Sequence, residues 1–266
     1  MLFRSYSFPR PPANILSGKV VSPRITPDHE KQKILSELHI DALYLEDFEQ
    51  VRNLSPEEFV KNILGKKLRA RHLICGFNFT FGCNGEGNAD SLTELAAHYG
   101  MTVTVIPPVI CGEILVSSGY IRHLIQKGDM ESASLYLGRP FFINVPVVEG
   151  RKLGRTIGIP TINQLFPDEN VIPRHGVYAC TCDIDGDLYL GVSNVGVRPT
   201  VTGNFNGPTV CETHILNYLG MLYGRNVKVS FYKRLRDEVQ FTSLDELKST
   251  VMQDIEKVRD YFNLYY

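Results

Sequence analysis

Residues 176–196 read GVYACTCDIDGDLYLGVSNVG and set the pattern for the second half of the chain. Two runs rich in β-branched and aromatic residues flank Asp185-Gly186, a pair typical of tight turns. Similar short runs occur at residues 140–150, 210–217 and 226–239. Because short strands at such even spacing are typical of an antiparallel β-barrel, we predict one here.

The second half ends in a sequence typical of a helix. Ser243 and Glu246 have the spacing of a capping box, in which each side chain bonds the backbone of the other residue. We therefore predict a C-terminal helix that starts at Ser243 and runs to about Phe262.

In the first half, helical patterns alternate with short apolar strands. Ser55, Pro56 and Glu58 have the arrangement of a helix start with a capping box. Apolar runs at 71–77 and 102–109 are typical of buried strands. This alternation predicts a parallel sheet covered by helices. Because this alternation of helices and strands gives way to successive short strands after Arg139, we predict two domains, at residues 1–138 and 139–266.

The composition sets limits on the class of protein. The 266 residues are long enough for two domains, and 28 basic against 29 acidic side chains give a net charge of −1. That balance argues against a general nucleic-acid or membrane-surface partner. The apolar run at 103–110 is too short to cross a bilayer, and residues 1–16 lack the apolar core of a signal peptide. We therefore predict a cytoplasmic protein, of an oligomeric state that the sequence does not specify.

Six cysteines are scattered along the chain. The one close pair, Cys180 and Cys182, lies at alternate positions of a predicted strand, so both thiols face one side. That arrangement does not match a zinc knuckle. We expect reduced and mostly buried thiols, as in other cytosolic proteins.

A glycine-rich stretch, residues 147–167, suggests a phosphate site. Three glycines recur every four residues beside three basic side chains: Gly150, Gly154, Gly158, Arg151, Lys152 and Arg155. Glycine lets backbone N–H groups approach a phosphate closely, and cations offset its charge. The spacing is not that of a P-loop. The alternative is a glycine-rich connection between two strands.

Three further positions carry side chains suited to chemistry on a phosphate. Thr161 and Asn163 are two apart, so on an extended segment their oxygens face the same way and together suit a magnesium ion. Glu212 would serve as a general base for a hydroxyl if it faces the same site. The alternative for Glu212 is an ordinary solvent-facing acid.

The turn-prone segment 193–200 is a candidate for the rim of this site, through three of its residues: Asn194, Gly196 and Arg198. The alternative is a plain hairpin loop.

These segments together resemble a known family. GRTIGIPTIN, GVYACTCDIDGDLYLGVSNVGVRPT, VCETHILN and the stretch at 223–255 are similar to the riboflavin kinase domain, over residues 137–262. The resemblance implies a six-stranded antiparallel barrel with a C-terminal helix. It also implies transfer of the γ-phosphate of ATP to the terminal ribityl hydroxyl of riboflavin, with FMN and ADP as products and Mg²⁺ as cofactor.

The resemblance assigns roles to individual residues. Pro160, Thr161 and Asn163 match the family's PTxN motif, so Thr161 and Asn163 would bind magnesium and ATP. Glu212 matches the catalytic base.

Other roles that the resemblance implies concern the phosphates and the flavin. Gly154, Arg155 and Gly158 match a flap over the phosphates. Arg236 is a candidate for the flavin side, the alternative being an exposed charge at a strand end.

Residues 1–140 resemble the FMN adenylyltransferase domain of bifunctional FAD synthetases, which implies an incomplete Rossmann-like nucleotidyltransferase fold. The family's stretch G-x-F-D-G-x-H-x-G-H does not occur in this sequence. The family's Pro-His-Pro appears here as residues 10–12, Arg-Pro-Pro, and Gly119 replaces a motif threonine. We therefore predict little or no adenylyltransferase activity and a mainly structural role. Any surviving ligand contact is expected at Asn78, Phe79 and Arg122.

Two other hypotheses stay open. One is an enzyme that keeps both activities through substitutes for the lost histidines, and the other is a non-catalytic flavin-binding regulator. The presence of Thr161, Asn163 and Glu212 argues against the regulator, since a pure binder needs neither a base nor metal ligands.

Overall fold

The computed structural model describes residues 2–150, 153–197 and 207–265, which form two compact units. One unit comprises Met1–Ser22 and Gln32–Val116, and the other comprises Pro23–Lys31 and Ser117–Tyr266. The predicted domain boundary near residue 138 lies within the second unit. None of the helices in the described ranges has the length and apolar character needed to cross a membrane.

The first unit contains short strands interleaved with helices. Its strands are β1 (Arg4–Ser7), β2 (Ala42–Leu45), β3 (His72–Gly76), β4 (Thr102–Ile106), β5 (Ile110–Cys111) and β6 (Ile114–Leu115). Its helices are α1 (Pro12–Ser17), α3 (Phe48–Val51), α4 (Pro56–Glu58), a π-helix (Phe59–Lys67), a 3-10 turn (Cys83–Gly85) and α5 (Ala89–His98). Helix α2 (Asp28–Glu37) has residues in both units.

Two strand pairs of the first unit are parallel, as predicted, but they form separate sheets, and the short strands β5 and β6 form a third, antiparallel pair. β1 pairs with β2, and β3 pairs with β4. The expectation that helices cover the sheet is wrong for one face of β3–β4, where Ile74 is 59% exposed and Ile106 is 44% exposed. The reason is that the core of the unit lies on the other side, where helical residues such as Val60 and Leu92 pack against Leu73.

The capping box at the start of α4 is present. The Ser55 hydroxyl accepts a hydrogen bond from the Glu58 N–H (3.2 Å), and the Glu58 carboxylate accepts one from the Ser55 N–H (2.9 Å). These bonds hold the pKa of the Glu58 carboxyl below its ordinary value, because they favour its charged form.

The second unit is a nearly closed antiparallel barrel with helices around it. Its strands are β7 (Phe141–Pro146), β8 (Ile162–Leu165), β9 (Gly176–Ile184), β10 (Asp187–Val197), β11 (Thr209–Ile215) and β12 (Asn226–Arg236). Its helices are α6 (Ser118–Lys127), α7 (Met130–Leu137), α8 (Leu153–Thr156) and α9 (Leu244–Tyr265). The strand order is β7-β12-β9-β10-β11-β8, which confirms the six-stranded barrel predicted from the sequence.

The turn between β9 and β10 explains why this hairpin forms. Asp185 and Gly186 both have positive φ, at 57° and 95°. A two-residue turn with positive φ at both positions matches the twist of antiparallel strands, and the Asp-Gly pair favours it. The hairpin register follows directly, with Asp187 opposite Ile184.

The barrel closes where its two edge strands, β7 and β8, approach each other. The Val148 N–H donates to the Asn163 carbonyl (2.8 Å). The fully buried Gln164 side chain donates through Nε2 to the carbonyls of Val145 and Val227, both at 2.7 Å. One side-chain amide thus joins β8 to both β7 and β12.

The barrel interior is filled by aromatic rings and a small polar network. Ser193 contacts the Cys180 thiol (3.0 Å) and the Thr213 hydroxyl (2.7 Å). Burial raises the pKa of the Cys211 thiol to about 12. Cys180 and Cys182 are both buried, on the same face of β9 as predicted from their spacing.

All six cysteines lie in the described residues, and all are free thiols. The expectation that most are buried holds only in the barrel. Three are buried there, whereas Cys75 and Cys83 are half-buried and Cys111 is exposed.

Helix α9 covers the outer face of β9 and β10. Ile255, Val258 and Phe262 pack against Val177 and Ala179. The helix begins at Leu244, one residue after the predicted start.

The capping box of α9 differs from the predicted one in one bond. The Ser243 hydroxyl accepts from the Glu246 N–H (3.1 Å), but the Glu246 carboxylate accepts from the N–H and hydroxyl of Thr242 rather than from Ser243. The reciprocal half of the box is therefore shifted by one residue.

We expect Gln164→Leu to destabilise the barrel by about 2–6 kcal/mol, because two carbonyls lose their donor at about 1–3 kcal/mol each. Urea denaturation followed by circular dichroism measures this change. The matched control is Gln126→Leu, an exposed position on α6, which should change the stability by less than about 0.5 kcal/mol. Equal stability of the Gln164 variant and the unmodified chain would contradict closure by this amide.

Candidate functional site

Three of the polar side chains singled out in the sequence lie side by side on the outer face of the barrel. Glu212 is directly opposite Asn163 on β8 and directly opposite Asn194 on β10. Residues opposite each other in antiparallel strands have side chains on the same face, with Cβ atoms about 4.5–5.5 Å apart. The flanking residues Cys211 and Thr213 are buried on the opposite face of β11. We call Asn163, Glu212 and Asn194 the outer row.

The structure corrects the interpretation of the segment around Asn194. The sequence suggests a turn from residue 193, but residues up to Val197 belong to β10. Register with β11 gives these residues strand geometry and brings Asn194 beside Glu212. Arg198 lies outside the described residues.

Asn163 is buried beneath Gly150, in the segment that precedes α8. It is only 6% exposed, and its Oδ1 has no hydrogen-bond partner in the described part of the chain. A Cβ at Gly150 would lie 2.3 Å from the Asn163 Nδ2. Because Gly150 has no side chain, there is room for the Asn163 amide.

The other two glycines of the repeat have local roles as well. A Cβ at Gly154 would lie 2.1 Å from the Ile159 carbonyl, and the Ile159 N–H donates to the Gly154 carbonyl (2.8 Å). Gly158 has φ +79°, with open space around its Cα. Both glycines thus allow a tight turn after α8, whether or not phosphate binds there. Arg151 and Lys152 lie outside the described residues.

A cleft brings together three other predicted residues: Arg155, Pro160 and Thr161. It lies at the end of the barrel where β8 begins and β11 ends, and its other lining residues include Tyr218 and Tyr223. The Arg155 guanidinium donates to the Tyr223 hydroxyl (3.0 Å) and lies 5.8 Å from the centre of that ring. The cleft thus carries a cation and a hydroxyl close to the start of β8.

Asn163 and Glu212 do not line this cleft. Thr161 lines it and is two residues from Asn163, so the short segment 161–163 connects the cleft to the outer row.

Arg236 is not an exposed strand-end charge. Its side chain is 19% exposed and donates through Nε (2.9 Å) and Nη2 (2.8 Å) to Asp254, a buried carboxylate of α9. Its Nη1 donates to the Asp237 carbonyl (3.0 Å). The guanidinium therefore anchors helix α9 to the end of β12.

The structure adds one residue that sequence reasoning did not single out. The Glu238 carboxylate accepts a hydrogen bond from Asn194 Nδ2 (3.0 Å). The two residues are 44 positions apart, and no spacing rule connects them. The one signal in the sequence is that Glu238 lies two residues after Arg236, the candidate for the flavin side.

The candidate contacts assigned to residues 1–140 lie in two different units. Phe79 stacks on Phe81, with ring centres 5.6 Å apart, and Asn78 is exposed. Arg122 belongs to the second unit, where it donates to the Pro23 carbonyl (2.6 Å) and the Ser118 hydroxyl (3.3 Å). Burial lowers the pKa of its guanidinium.

Comparison with protein families gives one match for each half of the chain. The family model described as riboflavin kinase matches residues 137–262, and the model described as FAD synthetase matches residues 3–120. A riboflavin kinase domain and an FAD synthetase domain are therefore both present.

Relatives match along most of the chain. A bifunctional riboflavin kinase/FMN adenylyltransferase of Pseudomonas fluorescens is 39% identical over 211 residues, covering 79% of this chain and 67% of that protein. The protein of the same description from Bacillus subtilis is 33% identical over 257 residues, covering 95% of this chain and 80% of that protein. A crystal structure described as a macrolide-efflux protein from Streptococcus pneumoniae is 28% identical, with a TM-score of 0.84, and the match covers 97% of this chain and 84% of that one.

Proposed function

Since the chain belongs to the bifunctional riboflavin kinase/FMN adenylyltransferase family, we propose that its barrel unit transfers the γ-phosphate of ATP to the 5′-hydroxyl of riboflavin, giving FMN and ADP. The observation that carries this proposal is the outer row beside the cleft. The row supplies a carboxylate and amide oxygens on strands that are directly paired, and segment 161–163 connects it to a cleft lined by a cation and a hydroxyl. Phosphoryl transfer asks for such positioning and charge neutralisation more than for covalent chemistry.

Glu212 is the general base in this proposal. It is exposed on the outer face of β11, so a substrate hydroxyl can reach it. The hydroxyl oxygen attacks the γ-phosphorus while Glu212 accepts the hydroxyl proton, and the bond from phosphorus to the ADP oxygen breaks.

Thr161 and Asn163 would hold Mg²⁺, and the donor set fits this ion. Asn163 Oδ1 is a hard oxygen, buried and without a hydrogen-bond partner among the described residues, as expected of a ligand atom. Because Mg²⁺ keeps several waters and takes phosphate oxygens, two protein oxygens are enough. When bound, the ion neutralises charge on the phosphates.

The cleft at the barrel end is the proposed nucleotide side of the site. Arg155 places a cation at its wall, and Pro160 and Thr161 form its floor near the start of β8. Gly154 and Gly158 let the turn between α8 and β8 close over phosphates without side chains in the way.

For Arg236 we propose an indirect role on the flavin side. Its donors are taken up by Asp254 and the Asp237 carbonyl, so its effect on flavin binding would pass through the position of α9. In this proposal Arg236 does not contact the flavin directly.

For the first half we propose little or no adenylyltransferase activity. Pro11 caps helix α1 without any side-chain hydrogen bond, and Gly119 puts no hydroxyl in the first turn of α6. Arg122 is engaged by Pro23 and Ser118. The second candidate, a fully bifunctional enzyme, is favoured by the FAD synthetase match at residues 3–120 and by the names of the relatives.

The deciding experiment is incubation of the purified chain with riboflavin, ATP and magnesium, with the flavins separated by chromatography. We expect FMN and no FAD, and no pyrophosphate release when FMN replaces riboflavin. FAD after FMN would establish the bifunctional enzyme. Unconverted riboflavin that still binds, measured by fluorescence quenching, would support the non-catalytic regulator.

We expect Glu212→Gln to lower the rate of FMN formation by about 10²–10⁴-fold, the usual contribution of a general base. Riboflavin binding should change little, because the amide keeps the size of the side chain. The control is Glu256→Gln, a change to an exposed acid of α9, which should leave the rate unaltered. Near-full activity in the Glu212 variant would show that another group accepts the proton.

We expect Asn163→Ala to raise the magnesium concentration needed for half-maximal rate, because one oxygen ligand is lost. Gly150→Ala should shift the requirement in the same direction, since its methyl group would displace the Asn163 amide. Asn263→Ala, at an exposed position of α9, is the control. Unchanged magnesium dependence in the Asn163 variant would remove this residue from the metal site.

A further inference from the structure

The Glu238 side chain lies on the outer face of β10, where Gly196 has no side chain. Asn194 and Gly196 are two apart on this strand, so both face outward. A Cβ at Gly196 would lie 2.0 Å from Glu238 Oε1, and the three nearest atoms to it all belong to the Glu238 carboxylate. The contact between Glu238 and Asn194 therefore depends on glycine at position 196.

This contact fixes the orientation of an amide in the outer row. Because the carboxylate accepts from Asn194 Nδ2, the Asn194 Oδ1 is turned away from Glu238. Asn194 is also directly opposite Glu212. The Asn194 amide thus lies between the carboxylates of Glu212 and Glu238, and its Nδ2 donates to Glu238.

The result is a surface of acceptor oxygens. The Asn194 Oδ1 and the Glu212 carboxylate are neighbours on two paired strands, and Asn163, whose buried Oδ1 is the proposed metal ligand, lies on the other side of Glu212. Hydroxyl groups are hydrogen-bond donors, so a chain that carries several of them complements this row. Without Glu238, the Asn194 amide is free to rotate and present N–H groups, which match hydroxyl donors poorly.

We propose that Glu238 is a positioning residue for the polyol chain of the flavin substrate, acting through Asn194. It orients the Asn194 carbonyl oxygen as an acceptor beside Glu212, and it thereby favours substrates with hydroxyls next to the reacting one. This inference rests on the proposed kinase function.

The test measures KM for riboflavin and for ATP separately in the unmodified full chain and in four variants of it. We expect Glu238→Ala to raise the KM for riboflavin about 10-fold, the value of one hydrogen bond to a charged group, with the KM for ATP unchanged. Glu238→Gln retains an acceptor oxygen and should restore the KM to within about 3-fold of the unmodified chain.

Gly196→Ala supplies an independent arm, because its methyl group would displace the Glu238 carboxylate. It should reproduce the rise in KM seen with Glu238→Ala. The double variant Gly196→Ala/Glu238→Ala should be no worse than Glu238→Ala alone, since the methyl group then meets no carboxylate. This non-additivity is the signature of two changes that break one contact.

The possible failures are distinguishable. If the unmodified chain forms no FMN, the proposed function fails and so does this inference. If it forms FMN but Glu238→Ala keeps its KM for riboflavin, only the positioning role is overturned. The role is also overturned if Gln fails to restore the KM, or if both KM values rise together with a lower thermal unfolding midpoint, which would indicate a structural residue.

Discussion

The hydrogen bonds of the Gln164 amide are the constraint on which the rest of the barrel depends. The strand order leaves β7 and β8 as edges, and unpaired edges expose backbone groups that need partners. Gln164 reaches from β8 to carbonyls of β7 and β12 from a fully buried position. Because Asn163 is its neighbour in sequence, closure of the barrel and placement of the proposed metal ligand are determined by the same short strand.

Filling of the barrel interior decides where a ligand can bind. Tyr178, Phe141 and Phe231 are fully buried, and the Phe231 ring contacts the other two, so the interior is a packed core. Strand alternation then sends Glu212 outward between two buried neighbours. The candidate residues consequently lie on the outer face and at one end of the barrel.

The glycines of the glycine-rich segment have roles in the fold that do not depend on a ligand. Gly150 makes room for the Asn163 amide, and Gly154 allows close approach of the Ile159 carbonyl. These needs would favour glycine even in a protein without a phosphate site. The two interpretations of the segment are therefore compatible, since the same turn that the fold requires leaves backbone N–H groups uncovered by side chains.

Local structure follows from the sequence alone. The Asp185-Gly186 turn, the alternation around Glu212 and the capping box at Ser55 follow from dihedral preferences and hydrogen bonds between residues close in the chain. Spacing also marked Thr161 and Asn163 as a candidate pair of ligands, and the family resemblance added Glu212 as the candidate base.

Contacts between side chains that are distant in the chain depend on the tertiary fold. The contact of Asn194 with Glu238, the ion pair of Arg236 with Asp254 and the bonds of Gln164 join residues that are 18 to 63 positions apart. Strand register and helix packing set such contacts, and both depend on the whole core rather than on any local run of residues. For that reason the sequence marked the candidates for the site, while the fold determined their neighbours.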